Sequence, residues 1–345
     1  MAEIHKASEK YVLTDVWYKD EFPQIAQSLT EGLPKLVEKI LNRSALLRAI
    51  AMSIRGGQHA LLVTCWDGTG RTLSVIEGLI GKRRLVMLEF IDFDYESKHR
   101  WVAKFYGLIV KYIFGPCLQR CVLNVQVFTK WERRLVVEKY GLPPGRVNLF
   151  AWPLSLGEIQ TRPLDTRLSE DMVFSSGRAA CDWPTLFAAQ KMGGWPLTVV
   201  CSDKDLPLVK SLNSDGKVKV LSNIPKKDHD HLFGSATVYA LCLKEKFKSS
   251  GQIRLASGIE AGVPVVASSV KGLDGYLLAG VTAAAVPPEN PQALSDAISA
   301  LLIDPAKRAA LAKRALEFAR DNTREIYMGR IVEMLAKSRD AVLAR

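Results

Sequence analysis

Two glycine-containing turns in the second half of the sequence have the residue types needed to hold a diphosphate. Gly177 ends a strand-like apolar run, and Ser249, Ser250 and Gly251 come immediately before a helical pattern that starts at Gln252. A glycine at a strand end lets backbone amides approach an anion, and the first turn of a helix presents free N–H groups at the positive end of its dipole. One such turn is a weak signal, but two in succession predict an anion site.

Several basic side chains flank the two turns. Arg178 follows the first turn, and the run LKEKFKSSGQ brings Lys244, Lys246 and Lys248 to the second. A cation here would balance the charge of a diphosphate and stabilise the further charge that develops as the diphosphate leaves. Arg178 and Lys248 are therefore candidate catalytic residues. The alternative for each lysine is an exposed charge that meets only solvent.

A second, acidic group of candidates follows the apolar run RLVMLEFI in the first half of the chain. Asp92 and Asp94 lie at its end, and His99 comes a few residues later. One of the aspartates could take a proton from an acceptor hydroxyl, with His99 lining the same site. The alternatives are a metal pair or carboxylates that cap the next helix. The DHDH run at 228–231 places its residues on different helix faces, so no metal site is predicted.

The elements that position these residues alternate between strand and helix. The first half has helical patterns at 33–55, 70–80 and 96–115 and apolar strand-like runs at 60–65, 84–91 and 124–129. After an irregular segment at 153–170, the second half has strand patterns at 172–177, 196–202, 218–223, 237–243 and 263–269, and helical patterns at 183–192, 226–235, 252–261 and 291–303. This alternation predicts parallel sheets with right-handed crossovers.

Two such halves predict an α/β protein with two Rossmann-like domains whose parallel sheets face an interdomain cleft. The predicted boundaries are 1–155 for the first domain and 156–325 for the second. Residues 326–345 are predicted to form a C-terminal helix that returns to the first domain.

The block 173–320 resembles the donor-binding half of GT-B glycosyltransferases, in particular family-four-like enzymes of an SGQ subgroup. The resemblance lies in the order and spacing of four segments, which are VFSSGRAACDWPTLFAAQ (173–190), SSGQIRLASGIEAGVPVVAS (249–268), KGLDGYLLAG (271–280) and VPPENPQALSDAISALLIDPAKRAALAKRA (286–315). The N-terminal half resembles the family only in its alternation of elements.

The resemblance implies a nucleotide-sugar site that needs no bound metal or other cofactor. It implies backbone contacts to the base at Asn223 and Ile224, and it extends the donor site to the set Gly177, Arg178, Lys244, Ser249, Ser250, Gly251, Gln252, Ser257 and Glu260. The sequence departs from the family at two positions, because Ser249 and Ser257 stand where the pattern usually has two glutamates. Ser257 could still bind a ribose hydroxyl, and Glu260 on the same helix could compensate.

The segment TCWDGTGRTL is a strand, a glycine-rich turn and a helix in the first half. It lacks the GK[ST] ending of a P-loop, and the resemblance places an acceptor loop here. The candidate acceptor residues are Trp66, Gly68, Gly70, Arg71 and His99. The alternative is a tight strand-to-helix turn without a binding role.

A basic, aromatic helix in the first half suggests contact with a membrane surface. Residues 97–146 contain ten basic and two acidic residues, and the whole chain has a formal net charge of +11. The segment is too charged to span a bilayer but suits an interfacial helix. Its predicted membrane residues are Trp101, Lys104, Phe105, Lys111 and Tyr112. The alternative is that these apolar side chains pack in the domain core.

Together these features predict a glycosyltransferase that acts at the cytoplasmic face of the plasma membrane. The predicted donor is UDP-glucose, UDP-galactose or UDP-glucuronic acid, and the predicted acceptor is a membrane lipid or lipid-linked saccharide. The sequence shows no signal peptide, no membrane-spanning run, no paired-cysteine motif and no nucleic-acid-binding module. The alternative function is a non-catalytic module that binds a sugar nucleotide or an anionic lipid.

Overall fold

The computed structural model describes residues 10–16, 20–92, 100–155, 157, 159, 161–163, 172–246 and 249–345. The chain divides into two compact units. The first unit contains residues 1–150 and 328–345, and the second contains residues 151–327.

The first unit is built on a six-stranded parallel sheet of the order β2-β1-β3-β4-β5-β6. Its strands are β1 (Val12–Thr14), β2 (Ala26–Ser28), β3 (Leu61–Cys65), β4 (Leu85–Leu88), β5 (Val122–Val127) and β6 (Val147–Leu149). The central strands β3 and β4 are almost fully buried, as expected for a parallel sheet covered on both faces.

The helices of the first unit are α1 (Lys35–Arg43), α2 (Ala45–Arg55), α3 (Gly68–Ile80), α4 (Arg100–Ile109), α5 (Gly115–Cys121) and α6 (Lys130–Tyr140). The predicted helix 33–55 is in fact two helices, because Ser44 is extended and its side chain caps α2 by accepting from the Leu47 amide. A π-helical turn, Val110–Phe114, joins α4 to α5. Helix α6 begins at a capping box formed by Thr129 and Glu132.

The second unit also has a six-stranded parallel sheet, of the order β12-β11-β10-β7-β8-β9. Its strands are β7 (Val173–Gly177), β8 (Leu197–Cys201), β9 (Lys219–Ser222), β10 (Val238–Leu241), β11 (Val265–Ser268) and β12 (Ala284–Val286). Its helices are α7 (Trp183–Gly193), α8 (Leu206–Leu212), α9 (Lys226–Ser235), α10 (Gln252–Glu260), α11 (Pro291–Ile303) and α12 (Pro305–Ala319). The prediction of two Rossmann-like domains with parallel sheets is confirmed.

The last helix, α13 (Arg324–Leu343), contributes most of its length to the first unit. Ile331 and Leu335 on this helix are fully buried. Asn124 on β5 donates a hydrogen bond to the Ser338 hydroxyl at 2.8 Å, which fixes the helix beside the sheet.

Candidate functional site

The carboxyl ends of β7, β8 and β9 border an open cavity of about 360 Å³ in the second unit. In parallel sheets with crossover helices, this edge is where ligands bind. The cavity is lined by Ile159, Ser176, Gly177, Arg178, Val200, Cys201, Asn223, Ile224, Lys226, His229, Asp230, Ile253, Arg254, Ser257 and Glu260. Of the predicted donor residues, six lie together here, namely Gly177, Arg178, Asn223, Ile224, Ser257 and Glu260.

In the described part of the chain, the N-cap of α10 makes no side-chain hydrogen bond to the first amides of the helix. Gly251 at its N-cap has φ of 92°, a conformation that favours glycine. A Cβ on this residue would also lie 2.6 Å from Leu243 Cδ1. Gln252 donates from its side chain to the Gly272 carbonyl, so its amide holds the following loop and does not line the cavity. Ser249, Ser250 and Gly251 are likewise not among the lining residues.

Two arginines give the cavity its available positive charge. Arg178 is exposed after β7, and Arg254 is partly buried in the first turn of α10. Neither side chain forms a hydrogen bond or an ion pair with any residue that the structure describes. The lining carboxylates, by contrast, are engaged. Asp230 pairs with Lys226 at 2.7 Å, and Glu260 accepts backbone amides.

Glu260 fastens the segment that follows the first unit. Its carboxylate accepts the amide of Gly157 and, at 3.2 Å, the amide of Ile159. The Thr161 hydroxyl donates to the Glu260 carbonyl at 2.7 Å. The carboxylate therefore holds a backbone segment at the wall of the cavity, a role that the sequence did not predict. Ser257 lines the cavity, but its hydroxyl donates to the Ile253 carbonyl at 2.8 Å.

Asn223 holds a strained turn after β9. Its φ is 48°, in the left-handed region, and its side chain donates to Asp203. The Ser222 hydroxyl donates to the other oxygen of Asp203 at 2.6 Å. These bonds fix the backbone of Asn223 and Ile224 at the cavity wall.

His229 is a buried member of the site that the sequence analysis rejected as a metal ligand and did not otherwise use. Its Nε2 lies 2.9 Å from the Ser176 hydroxyl. Burial, and then the charge of Arg254, lower the pKa of His229 to about 4. The imidazole is therefore neutral at physiological pH.

The lysine-rich loop is placed differently from the prediction. The amide of Lys244 donates to the Ala180 carbonyl at 2.8 Å, but neither Lys244 nor Lys246 lines the cavity. Lys248 lies outside the described residues. Arg254 is the cation that sequence reasoning missed. The signal was present, because Arg254, Ser257 and Glu260 recur at intervals of three on one helix.

In the first unit, Asp92 is a structural residue rather than an available base. Its carboxylate accepts hydrogen bonds from the Tyr106 and Tyr140 hydroxyls at 3.2 and 2.8 Å, and it pairs with Lys139 at 2.7 Å. The side chain is only 3% exposed. Asp94 and His99 lie outside the described residues.

Residues of the predicted acceptor turn pack in the core of the first unit or stabilise the turn itself. Trp66 is buried and stacks on Phe90 with ring centroids 4.5 Å apart, so it is a core residue rather than an acceptor contact. The Gly70 amide is occupied by the Asp67 carboxylate, and a Cβ on Gly70 would lie 1.9 Å from the Cys65 carbonyl oxygen. Gly68 begins α3, and Arg71 is half-buried on its first turn.

No three His, Cys, Asp or Glu side chains converge in the described parts of the chain. Metal independence remains a prediction. Among the described residues, no helix is long and apolar enough to cross a bilayer.

The fold is similar to that of solved glycosyltransferases over almost its whole length. A structure of HepE from Anabaena in complex with UDP gives a TM-score of 0.72 at 15% identity and covers 95% of this chain and 100% of that chain. Sucrose-phosphate synthase from Thermosynechococcus elongatus gives 0.64 at 19% identity and covers 92% and 84%. A glycosyltransferase from Rickettsia africae gives 0.63 at 14% identity and covers 95% and 89%.

The chain therefore has the GT-B fold of glycosyltransferases. Residues 206–318, from α8 to α12, match the family model of glycosyl transferases group 1. The GT-B resemblance predicted from the sequence is confirmed, and the match to the family model over residues 206–318 supports sugar transfer from a nucleotide-sugar donor. No protein of curated function matches the sequence significantly.

Proposed function

We propose that this chain transfers a sugar from a nucleoside diphosphate sugar, held in the cavity of the second unit, to a lipid or lipid-linked saccharide. The observation that carries the proposal is the pair of guanidiniums, Arg178 and Arg254, at the carboxyl edge of a parallel sheet, which have no partner among the described residues. Guanidinium groups form strong bidentate hydrogen bonds to phosphate oxygens. The N-terminus of α10, whose N-cap is a glycine, adds amide donors beside them.

The proposed chemistry breaks the bond between the anomeric carbon and the diphosphate oxygen. The sugar bonds to an acceptor hydroxyl oxygen, the hydroxyl proton is released, and the electron pair of the broken bond stays on the diphosphate. The leaving group therefore gains charge in the transition state, where Arg254 and the α10 amides can stabilise it without a metal. Activity should survive EDTA. Loss of activity in EDTA that manganese restores would contradict the proposal that no metal is needed.

The proposed donor is UDP-glucose, UDP-galactose or UDP-glucuronic acid. Structures of HepE, which has the same fold, are described with UDP and with UDP-glucose. The backbone at Asn223 and Ile224 suits a base, because Asp203 accepts hydrogen bonds from the side chains of Ser222 and Asn223 and so holds this turn in place.

The test measures UDP affinity of the whole chain by calorimetry and sugar transfer from each donor into lipid vesicles. Arg254→Gln should weaken UDP binding by roughly 10- to 150-fold and lower turnover further, because one charged hydrogen bond contributes about 1.5–3 kcal/mol. Lys210→Gln removes an exposed cation on α8 that does not line the cavity and serves as the control.

Unchanged UDP affinity in a folded Arg254→Gln variant would overturn the donor site. UDP binding without transfer from any of the three donors would favour the non-catalytic alternative, which the serines at 249 and 257 also suggest.

The lipid acceptor is supported by exposed apolar helices on the first unit. Tyr106 on helix α4 and Val110 just after it are buried in the core. On the same helix, Trp101 and Phe105 are 69% and 61% exposed. Exposed apolar side chains also lie on α1 and α2, namely Leu36, Val37, Ile40, Leu46, Leu47, Ile50 and Ile54. An exposed apolar surface of this kind marks a contact with a partner.

The charge of these helices favours an anionic bilayer as the partner. Lys104 and Lys111 are exposed next to the aromatic side chains of α4 and its π turn, and Tyr112 is also exposed. Helix α1 follows β2 and α4 follows β4, so both come after the carboxyl ends of parallel strands. We therefore propose peripheral binding to the inner face of the plasma membrane.

Vesicle binding tests this membrane proposal. Replacing Lys104 and Lys111 by Glu should release the chain from phosphatidylglycerol vesicles, because each basic residue near the surface contributes about 1 kcal/mol. Raised salt should have the same effect. Equal binding of the unmodified chain to phosphatidylcholine and phosphatidylglycerol vesicles would contradict the proposal.

A further inference from the structure

A second cavity, of about 340 Å³, lies in the first unit at the opposite edge of the sheet from the usual ligand edge. Its basic lining residues are Arg83, Arg146, Lys337 and Arg345. Arg83 comes just before β4 and Arg146 just before β6, so the cavity lies at the amino ends of these strands. None of the described residues that line it has an acidic side chain.

Arg83 is the residue that most needs a partner. Its Nε is buried and has no hydrogen-bond acceptor, and its side chain forms no hydrogen bond or ion pair with any described residue. A buried donor of this kind is costly unless something accepts from it. Arg345 donates to the Arg83 carbonyl at 3.5 Å, which brings a second guanidinium close to the first.

The cavity brings two guanidiniums, those of Arg83 and Arg345, close to each other. Burial lowers the pKa of Arg83, and the like charge of Arg345 lowers it further. Lys337 has a carboxylate partner, Glu333, at 2.6 Å, but this pair is exposed to solvent on α13. Arg146 is held in place by donating to the carbonyl of Gln119 at 3.0 Å. This hydrogen bond positions the guanidinium of Arg146 at the cavity.

We propose that this cavity binds a phosphate group. A phosphate offers several acceptor oxygens, which match the planar donor fork of a guanidinium and can contact more than one cation at once. It would supply the acceptor that Arg83 Nε lacks and would neutralise the repulsion between Arg83 and Arg345. The site is separate from the donor cavity, and the proposal does not rest on sugar transfer.

Binding here would couple the last helix to the sheet. Lys337 and Ser338 belong to α13, whereas Arg83 and Arg146 precede strands of the sheet. A phosphate that contacts both sets would hold α13 against the amino ends of β4 and β6. Occupancy should therefore stabilise the folded chain.

The experiment compares thermal unfolding of the full chain in sodium phosphate and in sodium chloride at equal ionic strength. Saturating phosphate should raise the Tm by roughly 2–4 °C. Arg83→Gln should remove the part of this shift that comes from the cavity and leave only the general stabilisation by phosphate and any binding at the donor cavity. In chloride its Tm should equal or exceed that of the unmodified chain, because a desolvated cation has been removed. Arg330→Gln, which removes an exposed cation from the same helix α13, should keep the shift.

Arg345→Gln provides a second variant at an exposed position and should weaken phosphate affinity several-fold even if Arg83→Gln does not fold. Phosphatidylglycerol vesicles distinguish the source of the phosphate. Loss of vesicle binding in the Arg83 and Arg345 variants would assign the site to a lipid headgroup, whereas retained vesicle binding with a lost phosphate shift would assign it to a small solute. The proposal fails if neither the phosphate shift nor vesicle binding depends on Arg83 or Arg345.

Discussion

The carboxyl edges of the two sheets both carry charged residues but use them differently. At the edge of the first unit, Asp92 forms an ion pair with Lys139 and accepts hydrogen bonds from two tyrosine hydroxyls. At the edge of the second, Arg178 and Arg254 have no partner among the described residues. The first arrangement stabilises a fold, and the second leaves charge available for a ligand. The comparison shows that the partners of a charged residue, rather than its type, decide whether it can bind.

The comparison predicts its largest effect at Asp92. Asp92→Asn should destabilise the chain by about 2–4 kcal/mol, because it leaves Lys139 without its counter-charge and weakens two buried hydrogen bonds. Denaturant unfolding measures this change. UDP affinity of the folded variant should be unaffected.

Tyr140→Phe is the matched control, since it removes one hydrogen bond to Asp92 but no charge. It should cost less stability than Asp92→Asn. If Asp92→Asn instead left stability intact and abolished sugar transfer, Asp92 would be the base that takes the proton from the acceptor hydroxyl. The inference that Asp92 only stabilises the fold would then be wrong.

Gly251 tests the other edge. Gly251→Val should weaken UDP binding at least tenfold, because the new side chain meets Leu243 and distorts the start of α10. Gly216→Val shares the strain of a positive φ, at 68°, but its Cβ meets nothing within 4 Å. A similar loss of UDP affinity in both variants would mean that strain, and not the geometry of α10, causes the effect.

Element order was largely predictable, because periodicity and caps are local properties. Helices α9 and α11 have the predicted bounds, 226–235 and 291–303, since Pro225 and Asn290 mark their starts. The strands β1 and β2 were not predicted, since three-residue strands carry too little pattern.

The site was less predictable than the fold, because hydrogen-bond partners come from distant parts of the chain. Glu260 is engaged by Gly157 and Ile159, about a hundred residues away. Lys244 lies before the glycine turn at Gly251 and Arg254 lies after it, yet only Arg254 lines the cavity. Sequence spacing gives the helix face of a residue, but not whether its charge is already paired.

The smallest predicted effect concerns acid, and it has opposite signs in the two units. Burial raises the pKa of Asp15, in the first unit, to about 6, with Asp67 adding to the shift and Arg48 opposing it. Burial and Arg254 lower the pKa of His229, in the second unit, to about 4, with Lys226 adding to the shift and Asp230 opposing it.

A carboxyl group whose folded pKa is raised gains stability as the pH falls through 6, because the folded state then binds the proton more readily than the unfolded state. A histidine whose folded pKa is lowered loses stability as the pH falls from about 6.5, its unfolded value, towards 4. Between pH 6.5 and 4.5, each contribution is about 1–2 kcal/mol, so the two partly cancel in the unmodified chain. In His229→Gln, the free energy of unfolding should therefore rise more, or fall less, on acidification than in the unmodified chain. In Asp15→Asn, it should rise less, or fall more. Both changes are measured as the free energy of unfolding across this pH range. If the free energy of unfolding of both variants changed with pH in the same way as that of the unmodified chain, neither Asp15 nor His229 would have the shifted pKa given above.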